Sequence, residues 1–174
     1  MRKSVDWREE AVGRHHDRSG FDCGVPALNE YLQRFARQNH KSGGAKTFVA
    51  VGPAAPAVVL GYYTIGPGAI AFAKAPVALT RKLGRYEVLV FRLSRLAVSQ
   101  ALQGRGLGAD LLLAAGERAI AVAREVGGVA LAIDAKDDRA AAWYERFGAL
   151  RLLDDPLKLV LPLDTIRSVL ERTD

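Results

Sequence analysis

The stretch Leu96–Leu112 reads LAVSQALQGRGLGADLL and carries glycine at the alternate positions 104, 106 and 108. A strand-like apolar run precedes these glycines, and an Ala/Leu-rich helical pattern follows them. Glycine inside a helix is less favourable than alanine by about 1 kcal/mol, so three of them at a helix entrance indicate a use for the bare backbone. Unpaired N–H groups at a helix N-terminus bind phosphate, and Arg105 adds a charge-assisted contact, so the stretch predicts a phosphate cradle. The structural alternative is a tight turn that lets the helix pack closely on the sheet.

Two other phosphate loops fit this stretch poorly. A P-loop requires a Lys-Ser/Thr pair after its last glycine, and this chain has Ala109 and Asp110 there. A dinucleotide fingerprint, G-x-G-x-x-G/A, is satisfied by Gly104, Gly106 and Ala109, but it should follow its strand directly. Here the residues Ser99–Gln103 separate the strand from the first glycine, which argues against a dinucleotide site.

Length and composition predict a single domain over residues 1–174. Hydrophobic residues make up 49% of the chain, and no apolar run reaches about 18 residues, so we expect one core and no transmembrane helix. The first ten residues, MRKSVDWREE, place acids where a signal peptide needs an apolar segment. The single cysteine, Cys23, excludes an internal disulfide and a multi-cysteine zinc site, and we expect it to be a small buried residue. The cytoplasm is the expected compartment.

Positive charge is concentrated in the middle of the chain. The formal net charge is +6, and the only acid in residues 47–95 is Glu87, against six lysines and arginines. Such an excess attracts polyanions such as nucleic acid or phosphorylated cofactors. The charge alone fits equally well a basic protein that has no such partner.

Apolar periodicity and turn residues predict an α/β order of strands followed by alternating strands and helices. Strands are expected in 1–19 and at 46–52, 57–66, 87–98, 128–134, 149–153 and 157–161, with a loop at 52–57. Helices are expected at 25–41, 76–83, 106–125 and 137–148, with a small helix at the end. The helix at 106–125 carries an apolar stripe formed by Leu107, Leu111, Leu112, Ala115, Ala119 and Val122.

The loop QGRGLG, at Gln103–Gly108, matches the Q/R-x-x-G-x-G/A motif of the GNAT superfamily of acetyl-CoA-dependent N-acetyltransferases. It follows a long strand that ends in Leu96–Val98, and it precedes a helix that carries WYERFG at Trp143–Gly148. The chain resembles the GNAT core over about residues 45–162. The resemblance implies an α/β fold with a mixed, mostly antiparallel central sheet, splayed at the acetyl-CoA site, and helices on both faces.

A narrower resemblance covers most of the chain. The segment from FDCGVPALNEYLQRF, which begins at Phe21, through LGYYTIG, SRLAV, QGRGLG and AWYERFGA is similar to the GNAT toxins of bacterial toxin–antitoxin pairs. Those toxins acetylate the α-amino group of aminoacyl-tRNA and block translation. The resemblance implies aminoacyl-tRNA as the substrate, a ribbon-helix-helix antitoxin as a partner, and a homodimer.

The resemblance also implies site residues. Acetyl-CoA is expected along the splayed strand end at Leu96, Ala97 and Val98, whose N–H groups would polarise the thioester carbonyl. Its pyrophosphate is expected on the loop, at Gln103, Gly104, Arg105, Gly106, Leu107, Gly108 and Ala109. Tyr144 matches the tyrosine that protonates the departing CoA thiolate in this family. The alternative for Tyr144 is an ordinary core residue beside Trp143.

No general base is evident, because the only carboxylate on the strand before the loop is Glu87, at its start. An α-amine has a pKa of about 7.7–8.0, so part of it is neutral in the cell, whereas a lysine near 10.4 is almost wholly charged. The missing base therefore favours an α-amine substrate. The alternatives are a small-molecule amine or a protein N-terminus as the acceptor, and a CoA-binding module without catalysis.

Within the basic middle of the chain, Lys74, Arg81, Lys82 and Arg85 form a predicted tRNA track, with salt-dependent binding. Arg92 and Arg95 lie an odd number of residues apart on one strand and therefore point to opposite faces. One of the two is expected to be structural and paired with a carboxylate.

We expect no catalytic or ligand-binding role for two further features. The adjacent His15 and His16 are expected to be solvated and not to bind metal. Asp137 and Asp138 are expected to cap the helix that carries Tyr144.

Overall fold

The computed structural model describes residues 4–173; residues 1–3 and 174, which belong to the predicted 1–174 domain and to the stretch inspected for a secretion signal, lie outside the described residues. The strands are β1 (Arg8–Ala11), β2 (Lys46–Gly52), β3 (Ala55–Ile70), β4 (Val88–Val98), β5 (Ala130–Asp134), β6 (Leu150–Arg151) and β7 (Lys158–Pro162). The helices are α1 (Pro26–Glu30), α2 (Ala36–Ser42), α3 (Val77–Thr80), α4 (Leu107–Val126), α5 (Asp138–Glu145) and α6 (Leu163–Glu171).

The strands form one seven-stranded sheet in the order β1-β2-β3-β4-β5-β7-β6. β4 and β5 are parallel, whereas β1–β2, β2–β3, β5–β7 and β6–β7 are antiparallel. β4 is the central strand, as its near-continuous apolar sequence predicts. The mixed, mostly antiparallel α/β fold predicted from the sequence is confirmed.

Several local predictions were too long. The strand expected at 149–153 is only Leu150–Arg151, and the helix expected at 137–148 ends at Glu145. The loop predicted at 52–57 shrinks to a two-residue turn, because β3 already begins at Ala55. The helix predicted at 76–83 ends at Thr80, because the chain then forms a tighter turn in which the Leu83 amide donates to the Thr80 carbonyl. The residues that follow, which carry several of the predicted tRNA contacts, are therefore not helical.

One compact unit comprises residues 4–66 and 95–114. Its core gathers side chains from β2, β3, the end of β4 and the helical segment 26–42, including Tyr31, Leu32, Val49, Tyr62 and Ala97. The predicted helix over 25–41 is present, but a π-helical turn at Tyr31–Phe35 separates α1 from α2. This wider turn buries Tyr31 and Leu32.

The other compact unit comprises residues 67–94 and 115–173. Its core is built by β4, β5 and β7, with Val88, Val90, Ala130, Ala132 and Val160 at its centre. The parallel ladder between β4 and β5 runs from Val90–Ala130 to Leu93–Ile133, and β4 then continues to Val98.

Helix α4 is amphipathic, as predicted, and buries Leu107, Leu111, Leu112, Ala115 and Ala119. Val122, which the pattern places in the same stripe, is 42% exposed, so the buried stripe ends about one turn early. In the part of the chain that the structure describes, no helix is both long and apolar enough to cross a membrane.

Candidate functional site

The glycine loop enters α4 with a left-handed backbone. The φ angles of Gly104 and Gly106 are 76° and 89°, values that side chains other than glycine rarely adopt. The first helical bond runs from the Asp110 amide to the Gly106 carbonyl, so the amides of Leu107, Gly108 and Ala109 have no carbonyl one turn earlier to bind. These N–H groups stand at the positive end of a 20-residue helix.

The space beside this helix entrance is open. A Cβ atom built at Gly106 would meet no other atom within 4 Å, so the glycine is not required by close helix–sheet packing. The open, left-handed loop leaves room for a phosphate group at these N–H groups. The donor set therefore fits the pyrophosphate of a CoA nucleotide.

The Gln103 side chain is used inside the protein. Its Nε2 atom donates hydrogen bonds of 2.9 Å to the carbonyl oxygens of Cys23 and Val98. This amide therefore ties the end of β4 to the start of the loop. Gln103 positions the start of the loop, a role that the motif alone does not reveal.

Residues 21–24 support the loop from the other side. The Gln100 amide donates to the Asp22 carbonyl at 2.9 Å, and a Cβ at Gly24 would lie 2.5 Å from the Gln100 side-chain nitrogen. Asn29 accepts a hydrogen bond from the Cys23 amide at 2.9 Å and donates to the Asp22 carboxylate at 3.0 Å. Sequence reasoning missed this support, although FDCG and the nearby asparagine are the residues that build it. Cys23 is buried, as predicted.

Close packing against β3 fixes the strand end Leu96–Val98. A Cβ at Gly61 would lie 2.8 Å from the Ala97 carbonyl oxygen, so only glycine allows this approach. The Ser99 amide donates to the Leu60 carbonyl at 2.9 Å, which holds the chain just before the loop. Ala97 is buried, whereas Leu96 and Val98 are partly exposed.

Arg95, directly before this strand end, lies over an aromatic pair. Its guanidinium carbon is 3.6 Å from the centroid of the Tyr31 ring, which stacks on Tyr62 at 6.5 Å. The Tyr62 hydroxyl donates to the Leu28 carbonyl at 2.7 Å, and burial raises the pKa of Tyr62. The π-helical turn therefore presents the ring that receives Arg95.

Arg92 is the arginine paired with a carboxylate. Its guanidinium lies 3.2 Å from the Asp134 carboxylate. The expectation that one of the two arginines on β4 is structural therefore holds for Arg92, and Arg95 also has a structural contact in its Tyr31 partner.

Tyr144 lies on α5, whose N-terminus is capped as predicted. The Asp137 carboxylate accepts a hydrogen bond of 2.8 Å from the Ala140 amide. Tyr144 is 8% exposed, and its ring meets Trp143 edge-to-face at 4.9 Å. Within the described residues its hydroxyl has no hydrogen-bond partner, and burial raises the pKa of Tyr144 to about 12. The phenol is therefore protonated at neutral pH and available as a donor.

The predicted tRNA track divides into two kinds of cation. Lys74 lies 3.1 Å from Asp154 and forms an ion pair with it. Arg81, Lys82 and Arg85 are exposed, and none of the three forms an ion pair with any residue in 4–173. The uncompensated positive charge is therefore on the three residues that follow α3.

Lys74 also lines a cavity of about 420 Å³ beside β7. Arg92 and Lys158 line it too, together with the acids Asp154 and Asp155. Two of its three cations are paired with carboxylates, so the cavity carries little net charge.

The expectation that both adjacent histidines are solvated was wrong for His16. His15 is exposed, but the His16 side chain is fully buried. The Nε2 atoms of both rings lie at 3.0 and 2.9 Å from the same Glu10 oxygen, and the Gly13 amide donates to Nδ1 of His16. Because Nδ1 of His16 accepts from the Gly13 amide, Nε2 is the nitrogen that donates to Glu10. The group formed by Glu10, His15 and His16 is therefore a hydrogen-bonded cluster that holds the chain after β1.

Comparisons with known proteins agree with this geometry. Residues 58–148 match the family model described as the acetyltransferase (GNAT) domain. The chain is 36% identical over 154 residues to the tRNA-acetylating toxin of Mycobacterium tuberculosis, a match that covers 88% of this chain and 90% of that protein.

Two solved structures are similar over nearly their full length. AtaT complexed with acetyl-methionyl-tRNAfMet has a TM-score of 0.87 and 25% identity, over 95% of this chain and 99% of that one. AtaTR bound with AcCoA has a TM-score of 0.82 and 27% identity, over 95% and 98% of the two chains. The family model and the relative with 36% identity agree with the fold, so the chain belongs to the GNAT acetyltransferase family.

Proposed function

We propose that this protein transfers the acetyl group of acetyl-CoA to the α-amino group of aminoacyl-tRNA and thereby acts as a toxin that blocks translation. The observation that carries the proposal is the 36% identity, over 88% of the chain, to a tRNA-acetylating toxin. A similar structure, AtaT, is complexed with an acetylated aminoacyl-tRNA. The cradle at the N-terminus of α4 supplies the cofactor site that such a reaction needs.

In this proposal the loop binds the pyrophosphate of acetyl-CoA. The proposed donors are the backbone N–H groups of Gly104, Arg105, Gly106, Leu107, Gly108 and Ala109. Gln103, predicted as one of these donors, instead positions the loop, because its backbone N–H donates to the Gln100 carbonyl at 3.3 Å and its side-chain amide holds Cys23 and Val98. The strand end formed by Leu96, Ala97 and Val98 supplies N–H groups for the thioester carbonyl.

Tyr144 is the proposed general acid. Acetyl-CoA supplies an activated acyl group with a thiol leaving group. A hydroxyl on a largely buried ring, with no hydrogen-bond partner among the described residues, is available to donate to the departing sulfur, and its raised pKa keeps it protonated until then.

The proposed acceptor is an α-amine that needs no strong base. The Asp134 carboxylate is engaged by Arg92, and Glu87 is exposed directly before β4, so neither is placed as a dedicated base. An α-amine near pKa 7.7–8.0 is partly neutral at cellular pH and can react without one.

The RNA is proposed to contact Lys74, Arg81, Lys82 and Arg85. Arg81, Lys82 and Arg85 carry most of the attraction, because Asp154 neutralises Lys74 locally. The proposed partners are a ribbon-helix-helix antitoxin and a second copy of this chain, and a charged-tRNA substrate puts the proposed reaction in the cytoplasm.

The test is transfer of radiolabelled acetyl from acetyl-CoA to charged and to uncharged tRNA. We expect label on charged tRNA only, with at least a tenfold lower kcat in Tyr144→Phe and an unchanged Kd for acetyl-CoA. Tyr63→Phe is the matched control, because it removes a hydroxyl whose bond to Glu9 is structural. Faster acetylation of lysine ε-amines, small amines or protein N-termini than of aminoacyl-tRNA would contradict the proposal.

A further inference from the structure

The segment 81–87, RKLGRYE, holds an aromatic ring in an unusual environment. Tyr86 is 84% exposed, more than any other large apolar or aromatic side chain of residues 4–173. A Cβ built at Gly84 would lie 3.2 and 3.3 Å from two atoms of this ring. The glycine therefore allows the ring to lie across the backbone turn.

Apolar side chains anchor the segment to the core. Leu83 is partly buried and packs against the core that contains Val88 and Val90, and Leu79 of α3 does the same. The exposed ring therefore projects from a fixed turn.

The surroundings of the ring are cationic. Arg81, Lys82 and Arg85 flank Tyr86 in sequence, are exposed, and form no ion pair within the described part of the chain. The neighbouring acid, Glu87, offsets only one of these charges. By contrast, the cavity beside β7 contains Lys74 and Arg92 with their charges paired.

This combination selects its partner by chemistry. An apolar protein surface would gain little from three unpaired cations, and a duplex phosphate backbone would gain little from an exposed ring. A single-stranded nucleic acid uses both, because each base has a face that stacks on an aromatic ring while its phosphates meet the cations.

We propose that Tyr86 stacks on an unpaired nucleotide of the RNA substrate, held there by Arg81, Lys82 and Arg85. This inference rests on the proposed function, since it takes aminoacyl-tRNA as the RNA. It adds a base-stacking residue that recognises a single-stranded stretch and tolerates different bases.

The test measures binding of two RNA hairpins, one with a single-stranded 3′ tail and one trimmed to a blunt end, without acetyl-CoA. Tyr86→Ala is expected to weaken binding of the tailed hairpin about tenfold and to leave the blunt hairpin unchanged. Tyr86→Phe should retain the wild-type affinity, whereas Tyr86→Leu should not. Val77→Ala, which trims another exposed side chain of the same region, is the matched control.

Two outcomes would overturn the inference. One is an affinity of Tyr86→Ala for the tailed hairpin within twofold of wild type. The other is an equal loss of affinity for the tailed and the blunt hairpin, which would mean that the ring does not recognise the single-stranded tail. The proposed function fails separately, if the wild-type protein binds the tailed hairpin but does not acetylate aminoacyl-tRNA.

Discussion

The side-chain nitrogen of Gln103 lies 2.9 Å from the carbonyl oxygen of Cys23, eighty residues earlier in the chain. The same nitrogen donates to Val98 at the end of β4. One amide therefore joins three pieces of backbone: the N-terminal segment, the strand end and the glycine loop. The shape of the loop depends on this junction as well as on its glycines.

Replacing Gln103 by alanine should weaken acetyl-CoA binding. The change leaves the carbonyl oxygens of Cys23 and Val98 without this donor, which costs about 1–3 kcal/mol in total and loosens the cradle. We expect the Kd for acetyl-CoA, measured by calorimetry, to rise about tenfold. Gln33→Ala is the control, because the Gln33 amide holds the Phe21 carbonyl but does not touch the loop. Equal effects of the two variants on the Kd would contradict a positioning role for Gln103.

Alanine at Gly106 should separate backbone strain from cofactor binding. Gly106 and Gly43 have φ angles of 89° and 82°, and a Cβ at either would meet no atom within 4 Å. Both alanine variants should therefore lose about 1–2 kcal/mol of unfolding free energy from strain alone, measured in urea. Only Gly106→Ala should also lose affinity for acetyl-CoA. If Gly43→Ala loses as much affinity, the effect is one of stability and not of the cradle.

The strands, the helix after the glycine loop and the capped α5 were predictable because local patterns determine them. Apolar runs, alternating glycines and an N-cap aspartate each act over a few residues, and β2 was placed with its observed ends. The family motif likewise predicted the cradle and the role of Tyr144, and both remain predictions.

What the sequence did not reveal depends on contacts between distant residues. The π-helical turn at Tyr31–Phe35 has the same apolar spacing as an α-helix, and its partner Arg95 is far away in sequence. His16 was misjudged because its burial depends on Glu10 and on a backbone amide, neither of which follows from two adjacent histidines. The difference between Lys74 and the three cations after it depends on Asp154, which lies beyond β6.

The pH dependence of the reaction should follow the substrate amine and not Tyr144. Burial raises the pKa of Tyr144 to about 12, so the phenol keeps its proton throughout the neutral and mildly alkaline range. We expect kcat to rise with pH through the α-amine range, about 7.7–8.0, and to show no alkaline fall up to about pH 10. The measurement is a pH–rate profile on amide-linked aminoacyl-tRNA, which resists alkaline hydrolysis. A fall near pH 9 that is absent in Tyr144→Phe would mean that the pKa of this phenol is not raised.

The cations after α3 should set the salt dependence of tRNA binding. Replacing Arg81, Lys82 or Arg85 by alanine should each reduce the slope of log Kd against log salt by about 1, because each removes a phosphate contact. Lys74→Ala should reduce it less, since Asp154 already neutralises that lysine. The converse variant, Asp154→Asn, should strengthen tRNA binding by freeing Lys74. Weaker binding by Asp154→Asn would exclude Lys74 from the RNA surface.

Glu10 should contribute stability that is lost in acid. Hydrogen bonds from His15, Arg8 and His16 lower the pKa of Glu10 from 4.5 to about 2. A carboxyl with a lowered pKa in the folded state stabilises the protein above about pH 4.5, and this contribution disappears as the pH falls towards 2. Glu10→Gln should therefore unfold at lower urea concentration than wild type at pH 7, with a difference that narrows between pH 4.5 and 2. The matched control is Glu30→Gln, which removes an exposed pair with Arg34 and should show no such pH-dependent gap. A gap for Glu10→Gln that stays constant down to pH 2 would show that the glutamate acts by packing and not by its charge.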